Sequence, residues 1–215
     1  MHSALAVANH LFERAQQARL SLTGGQLQCL CYFAHGLRLA LVNLPLLDET
    51  VHADRDGISI ASITRLGLHG SRPVPQLLTE VRPTAAGLLD ELAPVLDPQE
   101  PALSTVDLVW SRFGRFSAYD LGVFVRSAGG PWDETWNHPD RVDGQLHSVA
   151  SQPLAADGRA LPIANSLIRR WFRELTIQEN RDQASADGLA PTVMARHARP
   201  EETLSLAAVK KLRAP

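Results

Sequence analysis

The chain has 215 residues, enough for one domain of ordinary size with or without an appendage. Hydrophobic residues make up 45% and charged residues 20%, and the formal net charge is -2 with a pI near 6.4. A buried core is therefore expected, while the basic surface that nucleic-acid readers show is not. Two cysteines exclude a disulfide framework and fit the reducing cytosol, and neither a secretory leader nor a run of 18 apolar residues is visible, so a cytoplasmic chain with no membrane partner is expected.

Taken in chain order, Ala4 to Arg19 reads as an amphipathic helix. Leu5, Ala8, Leu11, Phe12 and Ala15 recur at helical spacing, and Ser3 stands where an N-cap belongs. Thr23-Gly24-Gly25-Gln26 has the Thr-x-x-Gln form of a capping box, with Leu22 placed to staple against Leu27. In the helix that follows, Leu27, Leu30, Cys31, Ala34, Leu37 and Leu41 share one broad face, and Tyr32, Phe33 and Leu39 widen it. A helix so apolar is covered on more than one side. Asn43 and Pro45 end it.

The middle of the chain is less regular. Asp54-Arg55-Asp56-Gly57 is turn-like, and Ile58 to Ile63 alternates in a way that permits either a short strand or a helix over Ser59 to Leu66. A weak helical run follows from Gln76 to Val81, then a helix from Thr84 to Leu92, stopped before Pro94. Ser104 or Thr105 starts a helix through Val106, Val109, Trp110 and Phe113, closed at Gly114. Ser117-x-x-Asp120 is a second capping box, opening a helix with Leu121, Phe124, Val125 and Ala128 on one face. Gly129-Gly130-Pro131 reads as a helix end and a proline stop. From Trp132 to Leu161 the composition is polar, predicting a long loop pinned by its tryptophans. Ala164 to Leu175 is the last clear helix, and beyond Glu179 the chain turns polar and Ala-rich, with Lys210, Lys211 and Arg213 near its end.

These elements predict a mainly α protein, a compact single-domain helical bundle over residues 1–177 with room for a short β-hairpin or strand pair in the middle. Residues 178–215 are expected to be a polar C-terminal appendage or tail.

The order of the blocks carries more than any one of them. A short amphipathic helix precedes Leu27-Gln28-x-Leu30-x-Tyr32-Phe33-Ala34-His35-Gly36. Then come Val109-Trp110-x-x-Phe113-Gly114-x-Phe116-Ser117-Ala118-Tyr119-Asp120-Leu121, Gly129-Gly130-Pro131-Trp132-x-x-x-Trp136, and Ile168-x-x-Trp171-Phe172. This series resembles the Panacea (SocA-like) family of bacterial antitoxins, which is often phage-associated, over roughly Ala4 to Leu175. The family's middle block reads close to W-x-x-G-P-V. Here His52 to Ser59 stands in its place and only Gly57 matches, which marks a divergent member.

The resemblance implies a helical domain that neutralises a toxin encoded by a neighbouring gene through direct contact. At least one member is an adaptor that delivers its toxin to a protease. The resemblance carries no catalytic residues and no cofactor, and it leaves homo-oligomers open. Its signature in this chain is Leu27, Tyr32, Phe33, Gly36, Phe113, Gly114, Ser117, Leu121, Pro131, Trp171 and Phe172.

The residues themselves supply little chemistry beyond this. Cys29 and Cys31, two apart on a helix, point about 200° away from each other. No two histidines stand three or four apart, and no HExxH or CxxC motif appears, so no metal site is expected. His35 either serves as a cation near a helix end or hydrogen-bonds within the core. No nucleophile elbow and no phosphate loop is present. Trp132 and Trp136 are either anchors or exposed partner contacts. With Arg55 and Asp56 of the turn they form the candidate partner-binding set. The expected partner is a cognate toxin. An adaptor that holds a protease or cargo protein, and an enzyme with an unrecognised site, are the competing readings.

Overall fold

The computed structural model describes residues 1–83, 89–138 and 160–187, and among them the chain is mainly α-helical, with a small antiparallel sheet. Helix α1 (Ala4–Gln17) begins at Ser3, whose hydroxyl accepts the Leu5 amide at 3.2 Å. Helix α2 (Gly24–Val42) opens with both halves of the Thr23/Gln26 capping box in place and ends on Asn43, a residue in the left-handed conformation. Two orphan amides of the first turn are thereby satisfied by side chains rather than by water.

Helix α2 is the axis of the molecule, packed by α1, by α4 (Leu103–Phe113), by α5 (Ala118–Val125) and by α7 (Asn165–Asp187). The sequence already demanded this, since a helix apolar around most of its circumference needs neighbours on several sides. Leu27, Leu30, Cys31, Phe33 and Ala34 are fully buried. Tyr32 and Phe33 meet Phe172 at ring-centroid distances of 5.4 and 6.0 Å, and Phe33 meets Phe113 at 4.9 Å and Phe124 at 5.3 Å. Such edge and tilted pairs each add roughly 0.5–1.5 kcal/mol beyond the area they bury. Three of the sequence blocks thus converge on one aromatic core.

On the surface between α1 and α4, the Asp107 carboxylate takes both ends of the Arg14 guanidinium, at 2.8 and 2.7 Å, and His10 Nε2 at 2.8 Å. Burial raises the pKa of this carboxyl, but the hydrogen bonds from Arg14 and His10 outweigh that and hold it below the usual range.

Strand β1 (Val51–Asp54) pairs antiparallel with β2 (Gly57–Ile60) and, on its other side, with β5 (Leu161–Pro162), giving the order β2-β1-β5. The alternation after Gly57 satisfies both local alternatives in turn. Ile58 and Ile60 lie in the strand, and the chain then turns at once into α3 (Ala61–Arg65).

Elsewhere local periodicity misled. Gln76 to Val81 is not helical, because strand β3 (Glu80–Pro83) begins there and pairs with β4 (Leu89–Leu92). Residues 89–92 of the expected Thr84–Leu92 helix are therefore strand, while 84–88 lie outside the described residues. A strand pair is specified by its partner, which a window of nine residues cannot see. Helix α4 starts at Leu103, with Ala102 as its cap. Ser104 donates its hydroxyl to the Pro101 carbonyl instead of capping.

The expected loop from Trp132 begins as helix α6 (Pro131–Trp136), with proline in its first turn. It ends as β5. Residues 139–159 lie outside the described residues. Helix α7 continues through residue 177 to Asp187, so the expected boundary at 177/178 falls inside a helix. Lys210, Lys211 and Arg213 lie outside the described residues.

Candidate functional site

The four candidate partner-binding residues gather at one corner of the molecule, around the β1–β2 hairpin. Arg55 and Asp56 form its two-residue turn and are exposed. Gly57 follows with φ +137, a conformation that L side chains rarely adopt, which explains the glycine there. Asp54 closes the turn with its own side chain, since Oδ1 accepts the amides of Asp56 and Gly57, both at 2.9 Å.

Two helices then clasp the hairpin from outside. The Trp132 indole donates from Nε1 to the Asp54 carbonyl at 2.9 Å, and Arg126, just past α5, donates to the Asp56 carbonyl at 2.7 Å. Trp132 is only 8% exposed, which makes it an anchor in this conformation. Trp136 is half-buried and stacks on it, with ring centroids 6.2 Å apart and planes 18° apart. Helix α6 is held in turn by Asp133, which accepts the Gly129 amide and the Asn137 side chain, and by Glu134, which accepts two hydrogen bonds from Arg170 of α7 at 2.9 Å.

Between this corner, the start of α2 and α5 lies a cleft of about 690 Å³, lined by Gln28, Cys29, the turn residues, Ile58, Gly122 and Arg126 among others. Its volume falls within the range of ordinary ligand sites. The Gln28 side chain lies at its inner wall. It donates to the Leu68 carbonyl at 2.8 Å and accepts the Ile60 amide at 2.9 Å, so this buried amide ties α2 to strand β2. Burial pushes the Cys29 thiol up to about 12 against a smaller opposing pull from Arg126, and burial also raises Cys31 and Tyr32. A thiol protonated in this way is no nucleophile near neutral pH.

Cys31 stands four residues before His35, but both His35 nitrogens are occupied. Nε2 lies 2.9 Å from Asn165 Oδ1, and Nδ1 accepts the Leu47 amide at 3.2 Å. Since Nδ1 is an acceptor, the proton sits on Nε2 and the ring is neutral, as burial also dictates. Of the two roles open to His35, the core hydrogen bond is the one realised. Among the described residues no group of three or more His, Cys, Asp or Glu converges as metal ligands would, and no helix is long and apolar enough to cross a membrane.

Arg126 and Gln28 drew no attention as site residues in the sequence. Arg126 meets a carbonyl 70 positions away, and only the folded hairpin reveals that contact. Gln28 carried one faint signal, a polar residue within an otherwise apolar stretch of helix.

No protein-family model, no curated protein and no solved structure matches this chain.

Proposed function

We propose that this chain is an antitoxin-like protein that binds and neutralises a toxin encoded by a neighbouring gene. The observation that carries the reading is the ordered series of sequence blocks, which resembles that of the Panacea antitoxins. Packing is consistent with treating them as one unit, because the blocks containing Phe33, Phe113 and Phe172 meet in a single aromatic core. The Pro131–Trp136 block is docked onto the hairpin through Trp132. Surface variation around such a core is a general route to new partners on an old scaffold.

The test is co-expression with the neighbouring gene product. Growth arrest by that product alone, relieved by this chain and accompanied by a purified complex, is the expected result. A neighbour that is harmless alone, or that stays toxic and unbound, overturns the reading.

A second reading, an adaptor that holds a protease or a cargo protein, draws on the divergent Asp54 to Ser59 block and on the chain beyond Glu179. A pull-down separates the two. Recovery of a protease or secreted cargo supports the adaptor, and recovery of the adjacent toxin alone opposes it.

A further inference from the structure

Strand β2 is an edge strand, and its outer side faces the cleft. Two hydrogen bonds fix which of its backbone groups point there. The Val51 carbonyl accepts the Ile163 amide at 2.9 Å, so Val51 directs its polar groups toward β5 and away from β2. The Ile60 amide, opposite Val51, is bonded to Gln28 on α2, on the side of β2 away from β1. Backbone groups alternate along a strand with a period of two, so Ile58 shares this orientation. Its N–H and C=O therefore point outward into the cleft, of which Ile58 is a lining residue. A cleft open to solvent tolerates such groups, but it also offers them to another strand.

The cation beside this edge strengthens the case. Arg126 lines the same cleft, is exposed, and among the described residues is bonded to the Asp56 carbonyl and to no carboxylate. Of the two acids that line the cleft, Asp54 spends an oxygen on the turn amides, and Asp56 sits in the exposed turn.

We infer that the cleft receives an extended segment of a partner protein, which pairs its backbone with Ile58 of β2 and sets an acidic side chain against Arg126. This inference rests on the proposed protein-binding function and names its site. Recognition through an edge strand draws affinity from main-chain hydrogen bonds and selectivity from side-chain contacts. Here the main chain would supply one pair of bonds and the guanidinium the preference for acid.

The probe is the blocked pentapeptide acetyl-Thr-Val-Asp-Val-Thr-amide, titrated into the full chain labelled with nitrogen-15. In the free chain the Ile58 amide should exchange with solvent faster than that of Ser59, which faces β1. Added peptide should shift the Ile58 amide and the Arg126 side-chain signals and slow exchange at Ile58. The fully N-methylated peptide should fail to do so, and the peptide with Asn for Asp should bind about tenfold more weakly. Arg126→Gln keeps a donor for the Asp56 carbonyl and should show the same loss for the acidic peptide alone.

No shift at Ile58 up to the solubility limit, or equal binding by the N-methylated peptide, overturns the proposal. A partner protein that binds the chain while Ile58 exchange stays unchanged also overturns it, yet leaves the function standing. Peptide binding at Ile58 with no binding by the neighbouring gene product does the reverse.

Discussion

Gly36 on α2 and Phe172 on α7 occupy adjoining space so closely that a methyl group on Gly36 would overlap the Phe172 ring. The glycine therefore sets the distance between the two helices. In Gly36→Ala the gain in helix propensity, about 1 kcal/mol, opposes an overpacking cost of roughly 1–3 kcal/mol. A net loss of up to about 2 kcal/mol is expected in urea unfolding. Combining it with Phe172→Leu should cost less than the sum of the single changes, because the smaller side chain leaves room for the methyl.

His35 links α2 to Asn165 of α7 and to the Leu47 amide, and the neutral ring serves both contacts. Burial lowers its pKa, the Asn165 bond opposing only in part. The sign follows from linkage. Above the ordinary histidine value, near 6.5, both folded and unfolded chains hold the ring neutral and the contribution is complete. As pH falls below that value the unfolded chain takes up the proton first, so stability declines until the lowered folded value is passed. Unfolding midpoints at pH 7.5 and 5.5 should differ in this direction, and His35→Gln should shrink the difference. An unchanged difference in the variant would assign the pH dependence to other groups.

Asn9 is fully buried on α1 and makes three bonds. Its Nδ2 donates to the carbonyls of Leu78 and Pro94 at 2.8 and 2.9 Å, and its Oδ1 accepts the Leu78 amide at 2.7 Å. It therefore moors the segments on either side of the β3–β4 pair to the core. Asn9→Ala should cost about 1–3 kcal/mol, since three backbone groups, the two of Leu78 buried, lose a partner. Asn9→Asp should cost more, because a carboxylate has nothing to donate to two carbonyls. Hydrogen exchange at the Leu78 amide is the specific readout. Both variants should accelerate it beyond what their loss of global stability explains.

Trp132 joins α6 to the hairpin through a single side-chain bond. Trp132→Phe keeps an aromatic ring against Trp136 but removes the indole donor together with part of the buried ring, so a loss of about 1–3 kcal/mol is expected. Faster amide exchange at Gly57, with the core amides of α2 unchanged, would locate that loss in the hairpin. Uniform acceleration would mean that the bond serves the whole fold.

Legibility in the sequence followed the range of the interactions. Ser3, Thr23 with Gln26, and Ser117 with Asp120 act over two or three residues, and each caps the helix that the sequence assigned to it. The wide apolar face of α2 announced its central place. The β3–β4 pair did not, because its hydrogen bonds join residues on separate strands and the intervening composition suits a helix equally well. The candidate site divides in the same way. Arg55, Asp56 and Trp132 stood out for their chemistry, but only folding brings the hairpin, the indole and Arg126 together across 70 to 78 positions.

Gln26 completes the capping box of α2, and its Nε2 also donates to the carbonyl of Phe116 at 2.9 Å, one residue before the Ser117 cap of α5. One amide group thus fastens the starting points of two helices that are 90 positions apart. The capping box alone treats glutamate as an equal of glutamine. Here the exchange is not synonymous, since a carboxylate can still accept the Thr23 amide but can no longer donate to Phe116. Gln26→Glu should leave the helicity of α2 intact and lower the melting temperature, with the weakening focused at the start of α5. A motif written in single letters would pass the change as silent, while the folded chain would register it as a broken splice between two of its parts.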